Sequence, residues 1–361
     1  MKTNHNNDSG KFSGEIISLF TILLARNIFR RRYMIFWAKT LRNQLMARAR
    51  RKEQLREGIA VPPVAILSIT SQCNLNCKGC YAKALNPVNT KELPLARIDR
   101  LFDEATECGT SVMVIAGGEP MMRKDVLHLA AGKRDMIFPV FTNGTLVDEA
   151  SVNLFKENPN MIPVLSIEGN PVRTDNRRGY GTYSKVMEKA GSLQRNGVFY
   201  GLSITLTSGN FKEVMRPAFI NQFYEMGCRL FFFVEYVPSS ESDTSSCITA
   251  AQKKKLAALL DNMRLIFSAL FIALPGEEEK YGGCLAAGRG FGHISSTGSL
   301  EPCPFAPWSD VNLHNTAYRS ALQSVLLKRI RDDHNELGES RGGCALRENR
   351  EWVESRYAMV T

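Results

Sequence analysis

The stretch Val64-Ala-Ile-Leu-Ser-Ile-Thr-Ser-Gln-Cys73-Asn-Leu-Asn-Cys77-Lys-Gly-Cys80-Tyr81 joins an apolar, β-branched run to three closely spaced cysteines. The cysteines begin just after the run ends, which is where the active site of a parallel α/β protein belongs. Three thiolates at this spacing can hold three irons of a [4Fe–4S] cube and leave the fourth iron open. Structural zinc, which favours closed sets of four ligands, and three unrelated core cysteines are the alternatives.

Six apolar, β-branched runs alternate with helical stretches from residue 64 onward. Such alternation, without a long structureless gap, predicts a parallel sheet that is either open or curled into a partial barrel. Ligands of such folds bind at the carboxyl ends of the strands. The predicted strands are 64–70, 111–116, 137–142, 163–167, 200–206 and 230–237, and the predicted helices are 94–107, 124–134, 148–157, 183–196, 212–226 and 250–272.

The second predicted strand is followed by Gly117-Gly118-Glu119-Pro120. With the CxxxCxxC-aromatic stretch, this resembles the radical S-adenosylmethionine (SAM) superfamily, over roughly residues 60–240. The resemblance implies a partial (β/α)6 TIM-like barrel and a GGEP loop that receives the amino group of SAM. Backbone carbonyls and a carboxylate suit an ammonium group, and glycine lets the backbone approach closely.

Two further strand ends carry short polar motifs. Thr142-Asn143-Gly144 resembles the family's TNG, although Asn-Gly is also a common turn dipeptide. Ser166-Ile-Glu168-Gly resembles the family's S-[IL]-D-G, whose polar side chains face the ribose and carboxylate of SAM. Glu168 stands where aspartate is usual, so its carboxylate is one methylene further out.

Two more features depend on the same resemblance. Tyr81 is expected to cover the cluster or contact adenine, with simple core packing as the alternative. The stretch Asp175-Asn-Arg-Arg178-Gly179 resembles the D-x-x-R-G of family members that modify peptides, and a salt-bridged loop is the alternative.

The C-terminal region contains Cys284, Cys303 and Cys344 in a glycine-rich setting. The spacing Cys284-x13-Gly-x4-Cys303 resembles the opening of SPASM and Twitch domains, which hold auxiliary iron–sulfur clusters, but the cysteine-dense middle of a full SPASM domain is missing. Three ligands can hold one auxiliary cluster, with an open iron or with a fourth ligand from Cys247, His293 or substrate. Purely structural thiols are the alternative.

The net charge of +10 comes from one segment. Residues 26–56 hold eleven Lys or Arg and one acid, whereas residues 57–361 hold equal numbers of basic and acidic residues. Since the body is neutral and no RNA-binding domain is recognisable, we expect no nucleic-acid partner. The apolar runs 16–25 and 33–38 are too short to span a bilayer, and no signal-peptide cleavage site follows. Residues 15–56 either lie peripherally on a lipid surface or pack on the body with their arginines in water.

The 361 residues, 44% apolar and 23% charged, are typical of a globular protein rather than a disordered or collagen-like one. The odd count of nine cysteines argues against a disulfide scaffold and favours a cytoplasmic protein, peripheral at the inner face of the membrane if the basic helix contacts lipid. We predict three units: a basic helical extension (1–57), a radical SAM core (58–275) and a small SPASM/Twitch-like domain (276–361).

The resemblance implies a radical SAM enzyme. One electron from the cluster cleaves SAM to methionine and a 5′-deoxyadenosyl radical, which abstracts hydrogen from the substrate. The SPASM-like tail and the D-x-x-R-G stretch favour a peptide or protein side chain as substrate. A membrane-associated or other small metabolite and a non-catalytic iron–sulfur or SAM-binding protein are the alternatives. An electron donor such as flavodoxin or ferredoxin is the expected partner.

Overall fold

A computed structural model describes residues 11–12, 14–18, 21–22, 31–85, 91–238, 244–337 and 344–359; for residues 31–34 it describes the backbone only. Most of the first 30 residues of the predicted extension therefore lie outside the described residues. The same holds for Gly342-Gly343, which precede the last cysteine of the tail.

One nine-stranded sheet organises the chain, in the order β7-β6-β5-β4-β3-β2-β1-β8-β9. All neighbouring strands are parallel except β9, which runs antiparallel to β8. The strands are β1 Val64–Thr70, β2 Val112–Gly117, β3 Phe138–Thr142, β4 Met161–Ile167, β5 Gly201–Leu206, β6 Leu230–Glu235, β7 Leu270–Leu274, β8 Phe291–Ile294 and β9 Leu300–Glu301.

Helices follow most of the strands and cover the outer face of the sheet. They are α1 Arg31–Arg56, α2 Tyr81–Leu85, α3 Leu95–Cys108, α4 Lys124–Gly132, α5 Glu149–Glu157, α6 Pro171–Arg178, α7 Thr182–Arg195, α8 Phe211–Val214, α9 Pro217–Glu225, α10 Ala250–Ile266, α11 Tyr318–Ala321, α12 Val325–Asp332, α13 Ala345–Glu348 and α14 Arg350–Ala358. Short 3₁₀ turns lie at Pro120–Met122, Thr244–Ser246, Glu278–Tyr281 and His334–Glu336.

The six predicted strand–helix units are present, and the sheet curls into the half-barrel that the sequence predicts. Most boundaries shift by no more than two residues, and two predicted helices differ by more. The predicted helix 212–226 is two helices, because Pro217 cannot continue α8 and instead begins α9. The predicted helix 250–272 ends at Ile266, and the apolar residues beyond it form β7. A short apolar run fits a buried strand and a buried helix equally well, which is why the sequence misplaced this end.

The two faces of the sheet bury different side chains. In β1, Ala65, Leu67 and Ile69 are fully buried under the helices, whereas Val64 and Ile66 line the inside of the half-barrel. This alternation follows from the period of two along a strand. Both faces are therefore apolar, and the polar side chains concentrate where the strands end.

The helix α1 packs against the body with one face. Trp37 is 1% exposed and its ring meets Phe199 edge-on at 5.4 Å between centroids. Gln44 accepts a hydrogen bond from the Ser111 hydroxyl at 2.7 Å, and Arg51 donates to the carbonyl of Gly109. Among the described residues, none of the helices has the length and apolar character needed to cross a bilayer.

The C-terminal region extends the sheet of the core. Strand β8 pairs with β1 in parallel, and a buried chain of side chains reinforces this edge. Ser68 lies 2.8 Å from Nε2 of His293, whose Nδ1 lies 2.7 Å from Glu301. The segment 276–361 thus contributes two strands, which the sequence did not predict, beside the strand that leads into the first cysteines.

Candidate active site at the carboxyl ends of the strands

The loop of Cys73, Cys77 and Cys80 lies between β1 and α2 and is tied to α6. The backbone N–H of Lys78 donates to the carbonyl of Arg177 at 2.9 Å, and Nε of Arg177 donates back to the carbonyl of Lys78 at 3.2 Å. All three thiols are free, Cys73 exposed and the other two half-buried. The loop therefore presents its sulfurs on a backbone that is fixed from a distant helix.

A tyrosine just after β6, Tyr236, packs closely against this loop. Gly79 has a φ of +62°, and a Cβ on it would lie 2.5 Å from the hydroxyl oxygen of Tyr236. Only glycine accepts both the left-handed backbone and this close approach. The loop therefore requires glycine at position 79, between Cys77 and Cys80, although the CxxxCxxC signature specifies no residue type there.

The thiols of this loop differ in their electrostatic surroundings. Desolvation by burial raises the pKa of Cys73 and of Cys77 above the ordinary thiol value. For Cys77, the guanidinium groups of Arg178 and Arg177 oppose that increase. Because the thiolate is the form that binds iron, these two arginines favour the iron-binding form of Cys77.

The predicted GGEP loop packs directly on the backbone that leads into the cysteines. A Cβ on Gly117 would lie 2.4 Å from the Thr70 carbonyl oxygen, and a Cβ on Gly118 would lie 2.0 Å from that of Gln72. The N–H groups of Gly118 and Glu119 donate to these same carbonyls, both at 2.8 Å. The two glycines therefore join the β2 loop to the cysteine loop with no space for a side chain.

Glu119 joins the GGEP loop to the TNG loop. Its carboxylate, 1% exposed, accepts hydrogen bonds from the Thr142 hydroxyl at 2.6 Å and from the N–H groups of Asn143 and Met121. Burial raises its pKa, and these three donors oppose the increase. Pro120 begins the 3₁₀ turn that these contacts cap. Glu119 lines the cavity, but much of its accepting capacity is already used inside the protein.

Asn143 continues this network to the cysteine loop. Its side-chain amide donates to Asn74 at 2.9 Å and lies 3.9 Å from the sulfur of Cys73. The predicted site residues of three separate loops are thus brought together, although they are up to seventy positions apart in the sequence.

The β4 end supplies Ser166 and Glu168. Ser166 lines the cavity, whereas Glu168 is 3% exposed and does not line it. One oxygen of Glu168 accepts from Arg177 at 2.6 Å and from Arg178 at 2.8 Å, whereas the other oxygen is buried without a hydrogen-bond partner. A buried acceptor without a donor is costly unless a ligand supplies one.

The D-x-x-R-G stretch forms part of this support. The carboxylate of Asp175 accepts from the N–H groups of Gly181 and Tyr183, both at 2.8 Å, at the start of α7. Arg178 pairs with Glu168 as described. Asp175 therefore stabilises the turn that leads into α7, and Arg178 holds the carboxylate of Glu168.

Tyr81 lies between the two groups of cysteines. Burial raises its pKa, with Cys80 and Cys303 as its nearest titrating neighbours. Its ring meets Phe305 edge-on at 4.7 Å between centroids. Tyr81 and Phe305 thus pack against each other at the wall of the cavity.

Cys284, Cys303 and Cys344 are also brought together. The thiol of Cys303 donates to Cys344, which lowers the pKa of Cys344, whereas burial raises the pKa of Cys303. Burial raises the pKa of Cys284 as well, with Glu278 and Cys344 as further causes. Burial also raises the pKa of Glu278 to about 8, with Cys344 and Glu235 adding to the increase.

The two proposed fourth ligands from the sequence, Cys247 and His293, lie elsewhere. The thiol of Cys247 donates to the carbonyl of Tyr236 at 3.8 Å. Both ring nitrogens of His293 lie within hydrogen-bond distance of Ser68 or Glu301. The structure therefore directs neither of them toward the second group of cysteines.

One cavity of about 450 Å³ is lined by residues from both groups of cysteines and from the loops that follow β2, β3 and β4. Its walls contain both cysteine groups, Gly117-Gly118-Glu119 and inner side chains of β1 to β7, which are mostly apolar except in β5, where Ser203 and Thr205 line it. Phe12 and Ile16 line it as well. The sequence did not predict Arg177, Tyr236 or Glu278 as site residues; their positions at or just beyond a strand or helix end were the available signal.

The donor set fits the cofactors that the sequence implies. Within the described ranges, no three His, Cys, Asp or Glu side chains converge on a single metal ion. A cube instead takes each thiolate on a different iron, which suits three free thiols spread along one loop. The polar side chains of Glu119, Asn143 and Ser166, which line the cavity beside that loop, fit a polar ligand such as SAM.

Comparison with known proteins agrees with this geometry. Residues 67–215 match the Radical SAM superfamily domain. The chain thus carries a radical SAM domain and is an enzyme of the radical SAM class, which uses a [4Fe–4S] cluster and SAM. These matches favour an enzyme over the non-catalytic alternative.

Individual relatives extend beyond that domain. The chain is 23% identical to an AdoMet-dependent heme synthase of Methanosarcina barkeri, over 79% of this chain and 88% of that protein. It is 25% identical to the antilisterial bacteriocin subtilosin biosynthesis protein AlbA of Bacillus subtilis, over 75% of this chain and 61% of AlbA. Another relative matches at 32% identity but over only 42% of this chain and 39% of its own length.

A solved structure shares the fold. Streptococcus suis SuiB, crystallised with its precursor peptide SuiA, superposes with a TM-score of 0.63 at 18% identity, over 82% of this chain and 72% of SuiB. At this identity the likeness concerns the fold alone.

Proposed function

We propose that this enzyme cleaves SAM reductively at a [4Fe–4S] cluster held by Cys73, Cys77 and Cys80, and abstracts hydrogen from a peptide or protein side chain. The observation that carries the proposal is the convergence of the cysteine, GGEP and TNG loops and of Ser166 near the end of β4 on one cavity. When bound, the cluster supplies the electron that splits SAM into methionine and a 5′-deoxyadenosyl radical.

The residues of the chain bind and orient SAM. Backbone groups at Gly117, Gly118 and Pro120 and the remaining lone pair of Glu119 receive its ammonium group. Asn143 holds the cysteine loop against the TNG loop. The free oxygen of Glu168 accepts a ribose hydroxyl, while Arg177 and Arg178 fix the other oxygen. Ser166 contacts the same region, and Tyr81 shields the cluster from water.

The second group of cysteines supports a large substrate. Cys284, Cys303 and Cys344 line the same cavity as the first group, so a substrate segment can lie between the SAM site and an auxiliary cluster. AlbA, which matches this chain over three quarters of its length, is named for the biosynthesis of a bacteriocin. Cys284, Cys303 and Cys344 would hold such a cluster, which would supply a route for electrons to or from the substrate.

A compact apolar metabolite is the second candidate. The inner wall of the half-barrel presents Val114, Phe141, Phe232 and Ile272 to the cavity, and such a wall suits an apolar ligand better than a solvated peptide backbone. The heme synthase relative acts, by its name, in the synthesis of a tetrapyrrole. A membrane-borne substrate also belongs to this candidate.

Two partners follow from the proposal. The electron comes from a small donor such as flavodoxin or ferredoxin. The outer face of α1 contacts an anionic lipid surface: Ile35, Leu45 and Met46 are exposed there, beside the exposed basic residues Arg42 and Lys52. The enzyme would then be cytoplasmic and peripheral at the inner face of the membrane.

The two substrate classes can be separated with one assay. Reconstituted enzyme is reduced with SAM, and 5′-deoxyadenosine is measured with a small-peptide fraction or with an organic-solvent extract of the source cells. We expect the peptide fraction to raise 5′-deoxyadenosine at least tenfold over the substrate-free rate, and proteinase K to abolish the increase. Stimulation by the organic extract alone would establish the second candidate instead.

A further inference from the structure

The carboxylate of Glu278 is held against the second group of cysteines. The 3₁₀ turn Glu278–Tyr281 is followed by two glycines with positive φ, Gly282 at +73° and Gly283 at +97°, which turn the chain back. As a result, the N–H of Leu285 donates to Oε1 of Glu278 at 3.2 Å. That nitrogen belongs to the peptide bond that Cys284 forms with Leu285.

The four donors surround the same part of the cavity. Glu278, Cys284, Cys303 and Cys344 all line it. Cys303 and Cys344 are in hydrogen-bond contact, and Glu278 and Cys344 are the acidic neighbours of Cys284. Because they come from four separate positions and do not converge on one point, they suit a multi-iron cluster rather than a single ion.

Three other potential ligands, Glu277, His293 and Cys247, already make contacts elsewhere. Glu277, the adjacent residue, is paired with Arg264 at 2.6 Å and with Lys280. His293 and Cys247 make the contacts given above, and neither lines the cavity. Glu278, in contrast, is held beside Cys284 by the hydrogen bond that it accepts from the N–H of Leu285.

We propose that Glu278 is the fourth ligand of an auxiliary iron–sulfur cluster whose other ligands are Cys284, Cys303 and Cys344. This rests on the proposed function in one respect, that these cysteines hold a cluster at all. A carboxylate oxygen on the remaining iron closes the coordination shell, so the substrate does not bind this cluster through an open iron. The cluster then serves in electron transfer and not in substrate coordination.

The test uses the full chain with the first group of cysteines removed. In the C73A/C77A/C80A background, iron and the EPR signal of the reduced cluster report on the second group alone. Glu278→Gln is added, with Glu279→Gln as the matched control, since Glu279 is exposed. We expect E278Q to change the EPR signal and to lose iron to a chelator about tenfold faster, while E279Q matches its parent.

The possible failures are distinguishable. If the parent background retains iron but E278Q and E279Q agree in EPR signal and iron loss, Glu278 is not a ligand. If the parent background binds no iron, the auxiliary cluster itself is disproved, and so is the role of Glu278 as its ligand. Thermal unfolding of the metal-free variants checks their folding, and Glu278→Asp, which keeps a carboxylate, should recover part of the iron retention where E278Q does not.

Discussion

The two groups of cysteines in this protein are built in opposite ways. Cys73, Cys77 and Cys80 lie on one short loop, and distant residues such as Arg177 and Tyr236 hold that loop in place. Cys284, Cys303 and Cys344 are separated by long stretches of chain and meet only because the fold brings them together. The first group is open to the cavity and to solvent, whereas Cys303 and Cys344 are buried.

The position of the first group is specified by spacing within one loop, whereas the position of the second group is specified by the tertiary fold. A loop with three thiols a few residues apart needs support only for its shape, so its spacing in sequence already indicates its chemistry. Thiols from distant positions require β8, β9 and the turn at Glu278 to be correctly placed first. We therefore expect the first group to control catalysis directly and the second to depend on the integrity of the C-terminal region.

Removal of the first group should have the largest effect. In C73A/C77A/C80A, the proposed site has no thiolate ligand, so we expect 5′-deoxyadenosine formation from SAM to fall below detection after anaerobic reconstitution, together with the loss of one cluster's iron. Mass spectrometry of the nucleoside and an iron assay measure the two effects. SAM cleavage that survives in this variant would show that the cluster is held elsewhere.

A substitution that crowds the contact between the GGEP loop and the first cysteine loop should have the second-largest effect. In Gly118→Ala, the new Cβ would lie 2.0 Å from the carbonyl oxygen of Gln72, so the cysteine loop must move. We expect about a tenfold loss of SAM cleavage and a destabilisation of about 1–3 kcal/mol in thermal unfolding. Gly132→Ala is the matched control, because nothing lies within 4 Å of its new Cβ. Equal behaviour of the two variants would mean that the contact does not position the loop.

The same contrast explains what could be predicted from the sequence. Strands β1 to β6 were predictable because each is an apolar run with a helical stretch after it. Strands β8 and β9 were not, because four and two residues carry too little periodicity, and their pairing with β1 is a long-range event. Strand β7 was absorbed into a predicted helix for the reason given above.

The site shows a similar limit. Cys73, Gly118 and Glu119 were predictable from residue type and position after a strand. The engagement of Glu119 by Thr142 and Asn143 was not, because a donor's partner depends on the folded loops. Glu278 carries no motif at all, and only the turn that directs it toward Cys284 makes it a candidate.

Removal of the second group should have a smaller effect on the first step. We expect C284A/C303A/C344A to lose one cluster's worth of iron but to retain SAM cleavage, because these thiols do not belong to the loop that faces the GGEP residues. Iron content and substrate-free 5′-deoxyadenosine formation provide the two readings. Unchanged iron would make these cysteines structural, and lost cleavage would show that the two groups act as one unit.

Substitutions on the exposed outer face of α1 should have the smallest effect. This face differs from the opposite face, which packs on the body through Trp37. Leu45 and Met46 are 51% and 43% exposed, and exposed basic residues lie beside them. In L45E/M46E, two apolar contacts are replaced by charges that an anionic surface repels, so co-sedimentation with anionic vesicles should fall about threefold to tenfold while SAM cleavage stays unchanged. Leu265→Glu is the control, since Leu265 is 87% exposed on α10, away from the basic helix. If the wild-type chain does not sediment with such vesicles, or if both variants lose binding equally, α1 is only a packing element and its arginines serve to keep its outer face in water.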